Sequence, residues 1–361
     1  MFTAGGVNTL PRTQFERGQP MEVGASAAAV NTSPYLAVAP SLAQLNSAKC
    51  DGGSAEPAAP GGGGGGGSVD LERTALALMG TSDVTLLFSG ASQGDTNMCT
   101  SVAMAHAYAL RYALTQPAGA FRSAASRVPQ LSATYAYYFQ RVQECTQVRV
   151  CVCETCKAVP SCRNDCDPPC VDCGSYLQSA ADVFRVGVAL ATAWPSSRGM
   201  DTPPDAAARA NALLFRVTVV RCVPLAAQAF VAALQRGAPL AVFLNLTPEQ
   251  TAWMAAQLHS VVATAAQLVM PPYRVAATAT TTVVGHVVLF DGVDAGAGVF
   301  LVRNNYGNTW GVDGRFAIAV AQVNTEQCHA AVAVDAVAGP AAADVGAMMA
   351  AGAADDAAAD A

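Results

Sequence analysis

The sequence predicts an α+β domain, because runs with helical spacing and shorter apolar runs of strand length both occur in it. Amphipathic or buried helices repeat their apolar residues with the period of the helix, whereas short continuous apolar runs between turn signals are typical of buried strands. In chain order, the predicted elements are a helix over residues 100–114, a helix over 229–236, a turn at Gly237, and strands over 240–246, 287–290 and 299–302.

A cysteine stands where the first of these helices begins. Residues 92–97 before it are rich in turn-forming residues, and Gly94 permits a close approach of the backbone. Unpaired N–H groups and the helix dipole favour a thiolate at a helix N-terminus, and the thiolate is the nucleophilic form. Cys99 is therefore a candidate nucleophile, although a single cysteine is more commonly a small buried apolar residue.

The chain offers four histidines as a base that titrates near neutral pH. His106 and His259 lie in apparent helices, and His329 lies near the end of the folded part. His286 comes directly before the predicted strand 287–290, and a side chain held at a strand edge is well placed to reach a thiol. His286 is therefore the candidate base, although an isolated histidine on an apolar strand is more commonly a core residue.

An asparagine follows the next predicted strand. Asn304 comes after residues 299–302 and the intervening Arg303. If the two strands are neighbours in the sheet, Asn304 lies beside His286, where its amide can fix the imidazole tautomer. The joint presence of a cysteine, a histidine and an asparagine in these positions favours nucleophilic catalysis over three unrelated core residues.

These residues and their order resemble the papain-like cysteine proteases. Gln93 precedes Cys99 by six residues, which is the spacing of that family's glutamine and nucleophile. Residues 285–292 match its Gly-His-[Ala/Val]-Val-x-x-x-Gly strand, and residues 304–314 match its Asn-Ser-Trp-Gly-x-x-Trp-Gly-x-x-Gly signature with two substitutions. The resemblance implies a papain-like two-lobed α+β fold, with a helical lobe carrying the nucleophile helix and a β-barrel-like lobe carrying the histidine and the asparagine.

The resemblance also implies a role for each residue. Cys99 would be the nucleophile, His286 the general base and acid, and Asn304 the residue that orients the imidazole. Gln93 and the Cys99 backbone N–H would stabilise the oxyanion. The implied activity is that of a papain-type cysteine endopeptidase, which hydrolyses peptide bonds of a polypeptide substrate through a Cys99 thioester and needs no cofactor for catalysis.

Four further residues are implied to contact the substrate. Gly174 and Ser175 precede a helix expected over residues 176–190, where family members present backbone to an extended peptide. Gly285 would permit close backbone approach near the site. Tyr306 stands where the family has a tryptophan that covers the histidine and asparagine.

Three positions depart from the family pattern. Thr96 stands in place of a disulfide cysteine, Thr100 in place of the tryptophan after the nucleophile, and Tyr306 in place of the covering tryptophan. Tyr306 can still shield a hydrogen bond from water, although less completely. We therefore expect activity to survive, but not necessarily at the level of a digestive protease.

Eight of the twelve cysteines lie in an insertion over residues 145–173. Two Cys-x-x-Cys pairs there have the spacing with which thiolates hold one tetrahedral zinc ion. The segment could hold a structural zinc, form disulfides or carry exposed thiols. Disulfides are nearly as favoured as zinc, because the redox state of the compartment decides between them and the sequence does not reveal it. The candidate zinc ligands are Cys153, Cys156, Cys170 and Cys173.

Composition divides the chain into three regions. Residues 1–68 contain Ser, Pro and Ala clusters and the poly-Gly run 61–67, which predicts a low-complexity, flexible region ending in a linker. Residues 69–338 are long enough for one peptidase domain that includes the cysteine-rich insertion. Residues 339–361 are nearly all Ala, Gly and Asp, and we expect a disordered tail there.

Charge and hydropathy narrow the partners. A net charge of −6 without a basic cluster argues against nucleic acid as the main partner. No run of about twenty strongly apolar residues predicts a membrane span, and no basic and apolar N-terminal segment predicts a signal peptide. These features favour an intracellular protein, in the host cytoplasm or the virion if the source is viral, whereas the oligomeric state stays open.

Two other functions compete with peptide hydrolysis. One is a non-catalytic binding or virion-associated module that keeps the fold and uses the cysteine-rich insertion for partner contact. The other is acyl transfer from the thioester to an amine. Gln93, Cys99, His286 and Asn304 together argue against a binding module, which needs none of them, and Gln93 with Trp310-Gly311 favours hydrolysis over transfer.

Overall fold

The structure is a computed structural model with eight helices among its described residues. It describes residues 9–10, 67–88, 93, 96–117, 119–123, 126–148, 175–257, 262–274 and 283–359. The helices are α1 (Leu71–Met79), α2 (Cys99–Thr115), α3 (Ala133–Val148), α4 (Leu177–Val186), α5 (Ala206–Ala212), α6 (Ala227–Gln235), α7 (Pro248–Ala256) and α8 (Ala342–Ala359).

The strands among the described residues form one antiparallel sheet. They are β1 (Thr9–Leu10), β2 (Val69–Asp70), β3 (Arg216–Cys222), β4 (Leu240–Leu246), β5 (Val283–Asp294), β6 (Val299–Arg303), β7 (Arg315–Ala319) and β8 (Cys328–Ala338). The main path runs β3-β8-β4-β5-β6-β7, and β1 and β2 each pair with β5. The predicted α+β class is confirmed, and the predicted neighbours β5 and β6 are adjacent.

Helix α2 is buried on nearly all sides and packs against β5 and β8. Its tyrosines anchor it at the far end of the sheet: the Tyr108 hydroxyl donates to the Ala338 carbonyl at 2.8 Å, and the Tyr112 hydroxyl donates to the Pro340 carbonyl at 2.6 Å. A helix that is apolar all round belongs in a core. The helix that begins at Cys99 is therefore held rigidly along its length.

Helix α4 is shorter than the helix predicted over residues 176–190. It ends at Gly187, whose φ of 139° is unfavourable for other residues. A Cβ at Gly187 would also lie 2.2 Å from the carbonyl oxygen of Ala212, the last residue of α5, so the backbone there approaches too closely for a side chain. The prediction extended the helix too far because the residues just beyond Gly187 are apolar and buried, although they are not helical.

The expectation of a disordered tail over residues 339–361 is wrong for Ala342–Ala359, which forms α8. Alanine has the highest helix propensity, and the start of this helix is attached to the domain. Ala342 and Val345 are buried, and the Ala342 carbonyl accepts a hydrogen bond from the Arg127 N–H at 3.0 Å. Composition alone could not reveal these anchoring contacts.

The N-terminal region predicted to be flexible contributes one short element to the described residues. Thr9 pairs with Val284 and Leu10 with Val283, so β1 lies along β5 just before Gly285 and His286. Within the described ranges, no helix combines the length and apolar character that crossing a membrane requires.

Candidate active site

The site begins at the N-terminus of α2. Cys99 is its first residue and is half-buried, and the N-cap residue Met98 makes no side-chain capping hydrogen bond. The N–H groups of a first turn have no acceptor within their own helix, and together they carry partial positive charge. This environment stabilises the thiolate that forms when Cys99 loses its proton.

His286 and Asn304 meet where β6 ends beside the first half of β5. His286 lies on β5 opposite Leu244 of β4, and Asn304 follows the last residue of β6. His286 Nε2 and Asn304 Oδ1 are 2.9 Å apart, and both side chains are buried. The contact expected between them is therefore present. Because Oδ1 is an acceptor, Nε2 carries the hydrogen, which leaves Nδ1 of the neutral ring with its lone pair.

Burial sets the protonation of the imidazole. It lowers the pKa of His286, and the hydrogen bond to Asn304 offsets this only in part. The neutral ring, which can accept a proton, is therefore favoured at neutral pH. Asn304 itself is held on both sides: its N–H donates to the Gly314 carbonyl at 2.9 Å, and its Oδ1 also accepts from the Asn305 N–H at 2.8 Å.

Tyr306 lies over this pair. The rings of Tyr306 and His286 are 5.7 Å apart and inclined by 31°. Burial, with a contribution from the negative charge of Cys99, raises the pKa of Tyr306 to about 12, so the phenol stays neutral. Behind it, the Trp310 ring contacts Tyr306 edge-on at 5.9 Å, and the Trp310 indole N–H donates to the Met254 carbonyl at 2.9 Å. Trp310 thus supports Tyr306 from the core.

Gln93 is attached to the same loop by its backbone. Its N–H donates to the Asn305 carbonyl at 2.8 Å, and its side-chain Nε2 donates to the Thr96 carbonyl at 2.8 Å. Thr96 closes the turn through its own N–H and hydroxyl, which both donate to the Gln93 carbonyl. At the position where the family has a disulfide cysteine, hydrogen bonds therefore stabilise the turn in this chain.

Of the residues predicted to contact substrate, the structure describes Ser175 and Gly285 as well as Tyr306. The Ser175 hydroxyl donates to Gln140 Oε1 at 2.6 Å, so the side chain is directed at α3. Gly285 lies under an aromatic ring, since a Cβ there would be 2.6 Å from Phe243 Cζ. Gly174 lies outside the described residues, and so do the four candidate zinc ligands Cys153, Cys156, Cys170 and Cys173.

Gln140 connects Ser175 to the nucleophile helix, which the sequence did not predict. Its side chain is fully buried, accepts from the Thr100 hydroxyl at 2.9 Å and donates to the Ser101 hydroxyl at 2.9 Å. Thr100, at the position of a tryptophan in the family, therefore has a specific polar partner. Both the oxygen and the nitrogen of this buried amide are therefore hydrogen-bonded to the nucleophile helix.

A buried ionic cluster underlies the loop that carries Asn304. Arg303 donates to Glu72 Oε2 from Nη2 at 2.6 Å and from Nε at 3.1 Å, and its guanidinium lies 4.1 Å over the Phe88 ring. Arg303 and Glu72 are both buried. The sequence signal for this cluster was an arginine directly after an apolar strand. If such an arginine is buried, its charge needs a carboxylate partner elsewhere in the fold.

The second arginine of this cluster faces three carboxylates. Arg315 contacts Asp291 at 2.7 Å, Asp70 at 3.2 Å and Glu72 at 3.4 Å. Burial would lower the pKa of Arg315, but the three carboxylates outweigh it and raise that pKa, so the arginine stays charged. Asp291 is the most enclosed of the three carboxylates. Burial raises its pKa to about 7, and the negative charges of Glu72 and Asp70 act in the same direction.

Comparisons with known proteins bear on the fold. No protein-family model and no curated protein sequence matches the chain. Among solved structures, it is similar to xylellain, a cysteine protease from Xylella fastidiosa, at 18% identity and a TM-score of 0.50, over 74% of this chain and 85% of that one. It is also similar to procathepsin B S9 from Trypanosoma congolense, at 15% identity and a TM-score of 0.45, over 74% of this chain and 76% of that one. The chain therefore has a papain-like cysteine protease fold.

Proposed function

We propose that this protein is a papain-type cysteine endopeptidase, with Cys99 as nucleophile and His286 as general base and acid. The observation that carries the proposal is the buried hydrogen bond from His286 Nε2 to Asn304 Oδ1 at 2.9 Å, to which Asn305 links the start of α2 by donating to the Cys99 carbonyl at 3.1 Å. The imidazole is thereby held in the tautomer whose other nitrogen can accept a proton from a thiol.

Acylation begins with transfer of the Cys99 thiol proton to His286 Nδ1. The thiolate attacks the carbonyl carbon of the scissile peptide bond, and the carbonyl oxygen takes the negative charge. His286 then returns the proton to the nitrogen of the leaving amine as the carbon–nitrogen bond breaks. The products of this step are a free amine and a thioester on Cys99.

The oxyanion forms beside two donors. Gln93 Nε2 has two hydrogens, of which one is bound to the Thr96 carbonyl. This bond orients the amide and leaves the second hydrogen for the oxyanion, and the Cys99 backbone N–H is the other donor. Each donor of this kind contributes about 3 to 4 kcal/mol to transition-state stabilisation.

Hydrolysis of the thioester completes the cycle. His286 removes a proton from water, the resulting hydroxide attacks the thioester carbon, and the proton returns to the Cys99 sulfur as the acid leaves. All proton transfers use one imidazole, so the reaction needs no cofactor. Tyr306 supports both steps, because its ring shields the hydrogen bond that fixes that imidazole.

A polypeptide digestion tests the proposal against a non-catalytic module. The purified chain is incubated with an unfolded polypeptide under reducing conditions, and the products are identified by mass spectrometry. We expect cuts at internal bonds, which Cys99→Ala and His286→Ala abolish. Cys222→Ala is the matched control, because Cys222 is also half-buried but lies on β3 at the edge of the sheet, and it should cut normally.

Each outcome has a distinct meaning. Cuts only at chain ends would replace the endopeptidase with an exopeptidase. New amino termini without the matching free carboxyl termini, with the acyl group recovered on an added amine, would indicate acyl transfer. Unchanged substrate, or cuts that persist in Cys99→Ala, would refute the proposal in favour of a binding module.

A further inference from the structure

Asn305, the residue after the orienting asparagine, is fully buried and contacts each part of the site. Its carbonyl accepts from the Gln93 N–H, and its own N–H donates to Asn304 Oδ1. Its side-chain Nδ2 donates to the Cys99 carbonyl at 3.1 Å and to the Val287 carbonyl. Val287 is the neighbour of His286 on β5. Asn305 therefore links the backbone of α2 at Cys99 to the backbone of β5 beside His286.

The amide of Asn305 is chemically suited to this bridge. Both groups that it faces are carbonyl oxygens, so the atom between them must be the NH₂ group, whose two hydrogens serve one acceptor each. One acceptor belongs to the first turn of α2, and the other to β5. A serine, which the family motif has at this position, has a single hydroxyl hydrogen and a shorter side chain, so it cannot serve both.

From these contacts we infer that Asn305 is a positioning residue, which fixes the separation of the Cys99 thiol and the His286 imidazole. The inference rests on the proposed function, since it concerns the same pair of groups. Asn305 does not touch the reacting atoms. It acts through the Cys99 and Val287 carbonyls, and small displacements of catalytic groups are known to reduce rates by about 100-fold.

The bridge has a measurable consequence for the thiol. Transfer of the thiol proton to His286 gives a thiolate and an imidazolium that stabilise each other only while the two groups stay close, so the pair is alkylated at a pH well below the ordinary thiol pKa of about 8.5. If the bridge is removed, the helix and the strand separate more freely. The alkylation profile should then move towards that of an ordinary cysteine, even in a folded protein.

The experiment compares Asn305→Ser, Asn305→Thr and Asn308→Ser with the wild type in the full chain. Iodoacetamide labelling of Cys99 is followed by peptide mass spectrometry from pH 4 to pH 10, and folding is checked by circular dichroism. Asn305→Thr nearly keeps the side-chain volume, adds no charge, and serves if the serine variant does not fold. Asn308→Ser is the matched control, because its amide donates to the Phe88 carbonyl and accepts from Arg303, without contacting the four proposed catalytic residues.

We expect both Asn305 variants to label Cys99 only at higher pH, with kcat for a peptide reduced by about 10- to 100-fold and KM changed far less. Asn308→Ser should keep the wild-type labelling profile. If the wild type labels at lower pH than an ordinary thiol and the folded Asn305 variants do the same, the inference is overturned but the proposed function is not. A wild-type profile like that of an ordinary thiol would overturn the proposed function, and the inference with it.

Discussion

Replacing Glu72 with alanine should destabilise the domain more than any surface ion-pair substitution. Glu72 accepts two hydrogen bonds from Arg303 and one from Arg315, and it is the carboxylate that the structure places against Arg303. Arg303 is 1% exposed, so it cannot turn to water when its partner is lost. The variant would leave a buried guanidinium with only neutral acceptors, on Asn308 and Asp313, and the face of Phe88.

The magnitude follows from the burial of both partners. Removing one member of a buried pair typically costs about 3 to 5 kcal/mol, because the remaining charge is desolvated without compensation. Ionisation of Asp291 offsets part of this cost at Arg315, to which it is hydrogen-bonded, but Arg303 gains no carboxylate partner in this way. By contrast, Arg221 and Asp335 are 35% and 23% exposed, and removing such a pair costs at most about 1 kcal/mol.

The assay is urea unfolding of Glu72→Ala and of the control Asp335→Ala, both in a Cys99→Ala background so that unfolded chains are not degraded. The difference in midpoint multiplied by a shared m value gives the change in the free energy of unfolding. We expect a loss of about 3 to 5 kcal/mol for Glu72→Ala and at most about 1 kcal/mol for the control. Equal losses in the two variants would refute the reasoning that the cluster is a desolvated network.

Three further predictions concern the same sheet. Because the folded-state pKa of Asp291 is raised from 3.8 to about 7, its stabilising proton is present at low pH and lost as the pH rises through that range. Urea unfolding at several pH values should therefore show stability falling by up to ~1.4 kcal/mol per pH unit from this group, and Asp291→Asn should remove that slope. Gly285→Ala should cost about 1 to 3 kcal/mol of stability by pressing on Phe243, and adding Phe243→Leu should recover part of it; no recovery would contradict the contact. Asn304→Ala should lower kcat about 10- to 150-fold, as expected for losing a hydrogen bond to a charged imidazole worth about 1.5 to 3 kcal/mol, and an unchanged kcat would exclude the orienting role.

Local patterns predicted the parts of the site that depend on local structure. The turn-rich segment before Cys99 and the apolar run after it placed the helix start at the residue where α2 begins. The two apolar runs that became β5 and β6 are adjacent strands, and this pairing brings Asn304 to His286. Neighbouring strands in sequence commonly pair, so this contact was within reach of the sequence.

Contacts between distant segments were not predictable in the same way. Glu72 and Arg303 are 231 residues apart, and nothing near either residue identifies the other. The insertion of β8 between β3 and β4 likewise depends on the whole fold. Asn305 was visible only as a substitution in a motif, because its importance lies in two carbonyl groups that belong to other elements. For α8, alanine content indicated low complexity, whereas burial of Val345 decides that the segment packs.

The most direct measurement is the intact mass of the protein after exposure to an epoxysuccinyl peptide, which alkylates activated thiols. It compares the wild type with Cys99→Ala, His286→Ala and the control Cys222→Ala. A single adduct on the wild type and on Cys222→Ala, absent from Cys99→Ala and strongly reduced in His286→Ala, is the predicted result. No adduct on the wild type, or an adduct that persists in Cys99→Ala, would contradict an activated Cys99 and His286 pair.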